Sequence, residues 1–295
     1  MEILEKCTLC PHECKVNRRI GEVGRCKSDS KIKISLADLH FYEEPCISGK
    51  NGSGAVFFTG CNMQCIFCQN YEISQLGQGK IVSEKELAEV FLELQKNGAN
   101  NINLVTGCIY VPAIVESLKI AKENGLKIPV IYNSSGFEKT ETLERLEGLV
   151  DVYLPDLKYY YDELARDLSG IKNYFEVASK AILEMQRQVG IPKFDENGLI
   201  KKGLIVRHLV LPSHLQNTKQ VLKWIHKYLN SGVYVSIMAQ YFPEYKAKDR
   251  TDIGRKLTKE EYEEIQNYAY RLGIQNGYMQ ELEENERQYV PKWSI

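Results

Sequence analysis

The stretch FFTGCNMQCIFCQN (57–70) decides how the rest of the chain is read. Its first residues continue AVFFTG (55–60), a short apolar run of the kind that forms a strand covered on both faces. Cys61, Cys65 and Cys68 follow at once, in a C-x3-C-x2-C spacing. A [4Fe–4S] cube has four irons, so three thiolates leave one iron open to a substrate or cofactor. Electron-carrying ferredoxins use C-x2-C-x2-C runs in which protein closes every iron. A structural zinc would recruit a fourth ligand, and no histidine lies near this group in sequence. The competing reading is a zinc knuckle or three core cysteines. Placement just after the first strand favours a catalytic centre, because barrel active sites collect at the C-terminal ends of strands.

Outward from this motif the chain alternates strand-like and helix-like segments. SEKELAEVFLELQKNG (83–98) reads as an amphipathic helix with Ser83 as N-cap and Gly98 as stop. NINLVTG (101–107) is a strand, PAIVESLKIAKENG (112–125) a helix, PVIYNSSG (129–136) a strand, and a helix is expected near 140–147. DVYLPDLKY (151–159), IVRHLVLP (205–212) and VYVSIMAQY (233–241) supply three more strands. Helices are expected at 172–189, 217–232 and 258–273, and PKFDENGLIKKG (192–203) reads as a hairpin insertion. Six nearly all-apolar strands, most followed by a helix, predict an α/β fold with a parallel sheet built as a partial (β/α)6 barrel. A closed eight-stranded barrel would need two more units and about 250 residues. Residues 1–50, rich in cysteine, charge and turn formers, read as a small cysteine-rich N-terminal extension. Residues 51–295 read as the barrel domain with its C-terminal helix.

The 295 residues are 43% hydrophobic and 26% charged, which is the composition of a globular protein. A formal net charge of -1 gives no support to a nucleic-acid or membrane footprint, although a local basic patch could hide within it. No apolar run approaches transmembrane length, and the charged start MEILEKCTLC lacks the apolar stretch of a signal peptide. A cytoplasmic location is expected. Seven of the nine cysteines fall into two tight groups, which suits ligation better than a disulfide scaffold. The second group is Cys7, Cys10, Cys14 and Cys26: four soft ligands for a structural zinc or an additional Fe–S cluster, with Cys46 as a substitute for one of them. That segment carries little apolar surface and is expected to be disordered without metal.

The C-x3-C-x2-C motif with Phe67 before its last cysteine resembles the signature of radical S-adenosylmethionine (SAM) enzymes. CTLCPHECKVNR (7–18), EEPCISG (43–49) and VRHLVLP (206–212) are similar to uncharacterised relatives of pyruvate formate-lyase activating enzyme, a glycyl-radical activase. The resemblance covers nearly the full length. It implies a partial barrel of the radical SAM type and a [4Fe–4S] cluster on Cys61, Cys65 and Cys68, whose open iron holds SAM by its methionine amine and carboxylate. It further implies reductive cleavage to methionine and a 5′-deoxyadenosyl radical that abstracts hydrogen from a substrate.

The resemblance also marks further residues for cofactor binding. Thr106 and Gly107 in VTGCIYVP stand where such enzymes place a glycine-rich stretch, although the usual form of that stretch is absent; an ordinary strand-end turn is the alternative. Asn133 in YNSSG suits the SAM ribose or the substrate, or is a turn residue. Asp156 and Lys158 in LPDLKY look like a D-x-K segment that holds SAM; otherwise they are a solvent-facing pair. Arg207 and His208 are consecutive strand residues, so one should face the barrel interior, and His208 is expected to contact SAM with Arg207 in support. His214 is a further candidate. Gln240 and Tyr241 are read as lining the substrate end of the cavity. Cys108 reads as a buried spectator thiol or a site residue.

The enzyme reading calls for an electron donor such as flavodoxin or ferredoxin. Its substrate could be a glycyl residue of a partner protein, or a small molecule, peptide or RNA. The alternative of another class is a non-enzymatic Fe–S or zinc protein that binds a partner or carries electrons.

Overall fold

A computed structural model describes residues 2–282, 290, 291 and 293. These residues include ten strands: β1 (Ile32–His40), β2 (Ser53–Phe58), β3 (Lys80–Val82), β4 (Ile102–Val105), β5 (Val130–Ser134), β6 (Val152–Pro155), β7 (Lys193–Phe194), β8 (Ile200–Leu209), β9 (Tyr234–Met238) and β10 (Gly277–Met279). They pair in the order β10-β9-β8-β6-β5-β4-β2-β1-β3, with β7 set against β8. Every pairing from β2 through β4, β5, β6, β8 and β9 to β10 is parallel. The chain thus has the expected α/β fold with a mostly parallel, unclosed sheet, and its six central strands are the six read from the sequence. The pairing of β7 with β8 matches the expected hairpin.

Three strands escaped the sequence reading. β1 lies within the segment read as the N-terminal extension, yet it pairs antiparallel with β2 over Ile34–His40 and carries β3 on its other side. Its inward and outward residues alternate only loosely, so its period-2 signal is weak. β3 and β10 have three residues each, too few for a periodic pattern.

The helices form where apolar spacing and capping agree. In Glu84–Lys96 the buried face is Leu87, Ala88, Phe91 and Leu94. Ser83 Oγ accepts from Glu86 N–H at 3.2 Å while the Glu86 carboxylate accepts from Ser83 N–H at 2.8 Å, a reciprocal cap. Lys259–Leu272 starts with the same device at Thr258 and Glu261. The helix Asp162–Ser169 was not expected from the sequence.

β2, β4, β5 and β6 are buried along their whole length. One face packs on helices through Val56, Phe58, Leu104, Tyr132, Tyr153 and Val206, within the main core. The other face is split between two smaller apolar clusters, one with Ala55, Phe57 and Val105, the other with Ile131, Val152, Leu154 and Ile205. Polar residues break that second face, and they make the site. No helix among the described residues is long and apolar enough to cross a membrane.

Candidate active site

Strand alternation sorts the candidate residues. Val105 pairs across with Asn133, and Arg207 with Ser236, so these side chains share the face away from the helices. Asp156 extends β6 by an isolated bridge to Arg207. His208, one residue on, must face the other way, and it does. It is fully buried, with Nδ1 2.6 Å from Leu157 O and Nε2 2.9 Å from Thr218 Oγ1. Burial drives its pKa down to about 4, so the ring is neutral at neutral pH. Leu157 O can only accept, so Nδ1 carries the proton and Nε2 accepts from Thr218. The structure therefore places Arg207 on the cavity wall and His208 among the helices, the reverse of the roles expected for the two.

The three cysteines reach the same cavity. The loop that carries them turns through Gly60 (φ +88°) and through Gln64, which takes a left-handed φ of 57°. It is pinned from several sides: Ile66 N–H donates to Leu168 O at 2.9 Å, Lys246 N–H to Ile66 O at 3.0 Å, and Gln75 Nε2 to Cys65 O at 2.9 Å. Each sulfur has a polar neighbour. Met63 N–H points at Cys61 Sγ (3.4 Å), Ser169 Oγ–H at Cys65 Sγ (3.0 Å), and Ser74 Oγ stands 3.2 Å from Cys68 Sγ. Burial, with Cys65 nearby, pushes the Cys61 thiol up to about 12 and the Cys68 thiol up to about 11. Uncharged thiols suit such a place only until a metal takes the protons' role. Donors aimed at sulfur are what cluster thiolates need, so the donor set fits a three-cysteine Fe–S site.

Cys61, Cys65 and Cys68 border a cavity of about 200 Å³ together with Thr106, Asn133, Asp156, Lys158, Arg207 and Gln240. Gly107 is not on its wall; it is packed so closely that an added Cβ would stand 2.6 Å from Ile114 Cδ1. Thr106 takes a left-handed backbone (φ 63°, ψ 35°), which is costly for a β-branched residue. His214 pairs with Asp252 at 3.0 Å and does not line this cavity. Cys108 is buried and does not line it either.

A buried charge network organises the wall. Asp156 accepts from Lys158 Nζ at 2.6 Å and from Arg207 Nε at 2.8 Å. Arg207 also donates to Glu43 at 3.0 Å and to Asn133 Oδ1 at 2.7 Å, and Asn103 donates to Glu43 at 2.9 Å. Burial would raise the Asp156 carboxyl, but Arg207 and Lys158 outweigh it and hold it below its ordinary value. Burial likewise disfavours the Lys158 ammonium, and Asp156 overrides it. Two cations, Lys158 and Arg207, thus face two carboxylates, Asp156 and Glu43. Tyr174 sets the loop after β6: its hydroxyl accepts from Lys158 N–H (2.9 Å) and sits 2.8 Å from Ser135 O and 2.9 Å from Asp156 O.

Arg207, Met238 and Gln240 also line a second cavity of about 460 Å³, so the two spaces adjoin. Phe41, Glu43, Glu44, Tyr278 and Met279 wall this larger space. Glu44 is buried, its carboxyl is pushed up by that burial, and its Oε2 has no hydrogen-bond partner among the described residues. Sequence reasoning missed Glu43, Glu44 and Tyr174. EEPCISG was noticed only as a resemblance, and nothing local in YFEV (174–177) tells that Tyr174 reaches across to Lys158.

The profile of the radical SAM superfamily matches residues 55–212, more than half of the chain. An uncharacterized protein of Methanocaldococcus jannaschii is 35% identical over 92% of this chain and 76% of its own length. Pyruvate formate-lyase-activating enzyme of Clostridium pasteurianum is 21% identical over 60% of this chain and 69% of its own. Among solved structures, Streptococcus suis SuiB bound to precursor peptide SuiA superposes with a TM-score of 0.50 at 16% identity, covering 75% of this chain but only 46% of that one. That likeness concerns the fold alone. The chain belongs to the radical SAM superfamily, whose members are enzymes that use a [4Fe–4S] cluster and SAM.

Proposed function

We propose that this radical SAM chain holds its cluster on Cys61, Cys65 and Cys68, binds SAM against Asp156, Lys158 and Arg207, and acts on a peptide or protein segment seated in the adjoining cavity. The observation that carries this reading is the sharing of one cavity by the three thiols and the buried charge network. When bound, the cluster and SAM supply one-electron cleavage of a sulfur–carbon bond and a radical that takes a hydrogen atom from the substrate.

The chain's own residues hold and orient. Lys158 uses one of its three N–H bonds on Asp156 and keeps others for the methionine carboxylate. Asp156 positions both cations and offers a carboxylate to the methionine amine. Asn133, whose oxygen accepts from Arg207 and whose nitrogen donates to Glu43 at 3.3 Å, would offer its remaining N–H to the sugar. Thr106, held at the end of β4, brings backbone close to the amino-acid moiety. Gln240, at the boundary of the two cavities, separates cofactor from substrate and helps exclude water.

Two features support a peptide or protein substrate. Phe41 and Met279, both exposed, rim the larger cavity with apolar surface. Among the described residues β10 is an edge strand there, paired on one side only, a template for an extended peptide. The relatives point the same way: one activates pyruvate formate-lyase, and SuiB was solved with a precursor peptide. A glycyl residue of a partner protein is the finer form of this reading, and a flavodoxin or ferredoxin would supply the electron.

The test is anaerobic reconstitution with iron and sulfide, followed by EPR of the reduced protein with and without SAM. A [4Fe–4S]⁺ signal that changes with SAM, together with 5′-deoxyadenosine release, is expected. Cys61→Ala, Cys65→Ala and Cys68→Ala should each abolish the SAM-dependent change of the signal and the 5′-deoxyadenosine release. A cluster signal indifferent to SAM would refute the proposal.

A further inference from the structure

We propose that Cys7, Cys10, Cys14 and Cys26 hold a second [4Fe–4S] cluster, closed on all four irons by protein and packed directly beside the first. This does not rest on SAM chemistry at the triad.

The four thiols, spread over residues 7–26, border one small cavity of about 10 Å³, with Val16, Arg18 and Ile109 on its wall. All four are free thiols. The backbone is bent to bring them there. Cys7 N–H donates to Val16 O and Lys15 N–H to Cys7 O, both at 2.9 Å, folding the segment back on itself. Glu13, Lys15 and Lys27, each next to one of these cysteines, take left-handed φ values of 41°, 58° and 56°. Backbone strain of this kind persists only where the surroundings impose it. Gly24 lies against Cys14, so that a Cβ there would stand 2.7 Å from its sulfur. Arg25 N–H points at the same sulfur from 3.4 Å.

Charge makes the second argument. Arg18 lines the cavity and is 2% exposed. Its guanidinium donates only to neutral carbonyls: Asp29 O at 2.6 and 3.1 Å, and Ile109 O at 2.8 Å. No carboxylate stands within ion-pair distance of it among the described residues. A buried cation without a counter-charge is costly. Four thiolates around a doubly positive iron–sulfur core carry two net negative charges and would supply that counter-charge.

Space separates a cluster from zinc, which would give the same net charge. Around zinc the sulfurs stand about 2.3 Å from a common point. A water-sized sphere of about 1.4 Å radius cannot fit among sulfurs that close. Here it does fit. Consistently, no three His, Cys, Asp or Glu side chains among the described residues converge on a single-ion position. The opening is wider than four sulfurs around a single ion would leave.

The two thiol groups are neighbours. A Cβ on Gly60, the residue before Cys61, would stand 3.0 Å from Cys26 O and collide with Ser28 Oγ. His12 Nε2 lies 2.8 Å from Asn62 O, and Gln64 donates to Arg25 O. The cysteine-rich segment is therefore built onto the loop that carries the triad.

The experiment is metal and sulfide analysis of the full chain after anaerobic reconstitution, beside the triple variant C61A/C65A/C68A and the double variant C14A/C26A. About eight irons per chain are expected in the wild type and about four in each variant. The triple variant should keep a reduced-cluster EPR signal that ignores SAM, and the double variant one that responds to it. Fully reduced wild type should give a spectrum broadened by coupling, not the sum of the two variants. If one variant fails to fold, the other still reports its half. About four irons with one zinc in the wild type, a triple variant without iron, or a double variant with undiminished iron would each overturn the proposal.

Discussion

Replacing Asp156 by Asn removes one charge and almost no volume. In the wild type the buried cations Lys158 and Arg207 face Asp156 and Glu43, two against two. In Asp156→Asn, two cations face one acid. Lys158 loses its carboxylate partner, the only one among the described residues, while Arg207 keeps Glu43. Breaking a buried pair costs about 3–5 kcal/mol, and the Asn oxygen retains an acceptor for Arg207, so the low end, about 3 kcal/mol, is expected. For a chain of this size that lowers the melting midpoint by roughly 6 °C. Lys158→Met leaves one cation facing two acids and should cost a similar amount. The double variant restores one against one, so it should be more stable than the sum of the two losses by about 2 kcal/mol. SAM affinity, read by EPR titration of the reconstituted protein, should stay low in all three. Anaerobic thermal unfolding of the four proteins measures the cycle. Additive losses in stability would show that the pair is not coupled. Normal SAM binding in the double variant would show that it is not the SAM anchor.

His208 gives a pH dependence. Its folded pKa, about 4, lies below the unfolded value of about 6.5, so its contribution to stability is complete above pH 6.5 and is lost as pH falls toward 4. Between pH 7 and 5 the loss should be about 2 kcal/mol, and urea unfolding of His208→Gln should lack that part of the slope; an unchanged slope would refute the assignment. Thr106→Gly should relieve the left-handed strain at φ 63° and stabilise the metal-free protein by up to about 1 kcal/mol, whereas Thr106→Ala should not. A midpoint that drops equally in both would mean that the hydroxyl, not the backbone, matters. Removing metal should strip amide-exchange protection from residues 7–26, and persistent protection there would show that the segment folds without it.

Much of the site was readable from the chain because it sits where local signals are strong. Cys61, Cys65 and Cys68 are close in sequence and follow an apolar strand, so their convergence needed only one turn. Thr106, Asn133, Asp156, Lys158 and Gln240 lie at or just past strand ends, which share one rim of a parallel sheet, and the first four were also marked by the resemblance to radical SAM enzymes. Glu43 and Glu44 were not given a role. They lie before β2, outside any repeating unit; both wall the larger cavity, and Glu43 pairs there with Arg207. Tyr174 begins a helix whose spacing predicts burial but not a hydroxyl bond to Lys158 N–H.

The sequence by itself determined the α/β alternation, the six parallel strands and the two cysteine groups, since apolar period, capping and thiol spacing are local properties. Tertiary structure alone decided which of Arg207 and His208 faces the cavity. Alternation says only that the two point opposite ways; strand pairing with β9 and the Asp156 bridge set which way is inward. It also decided that Cys26 lies against Gly60, because contact between segments distant in the chain follows from packing and leaves no periodic mark in either segment.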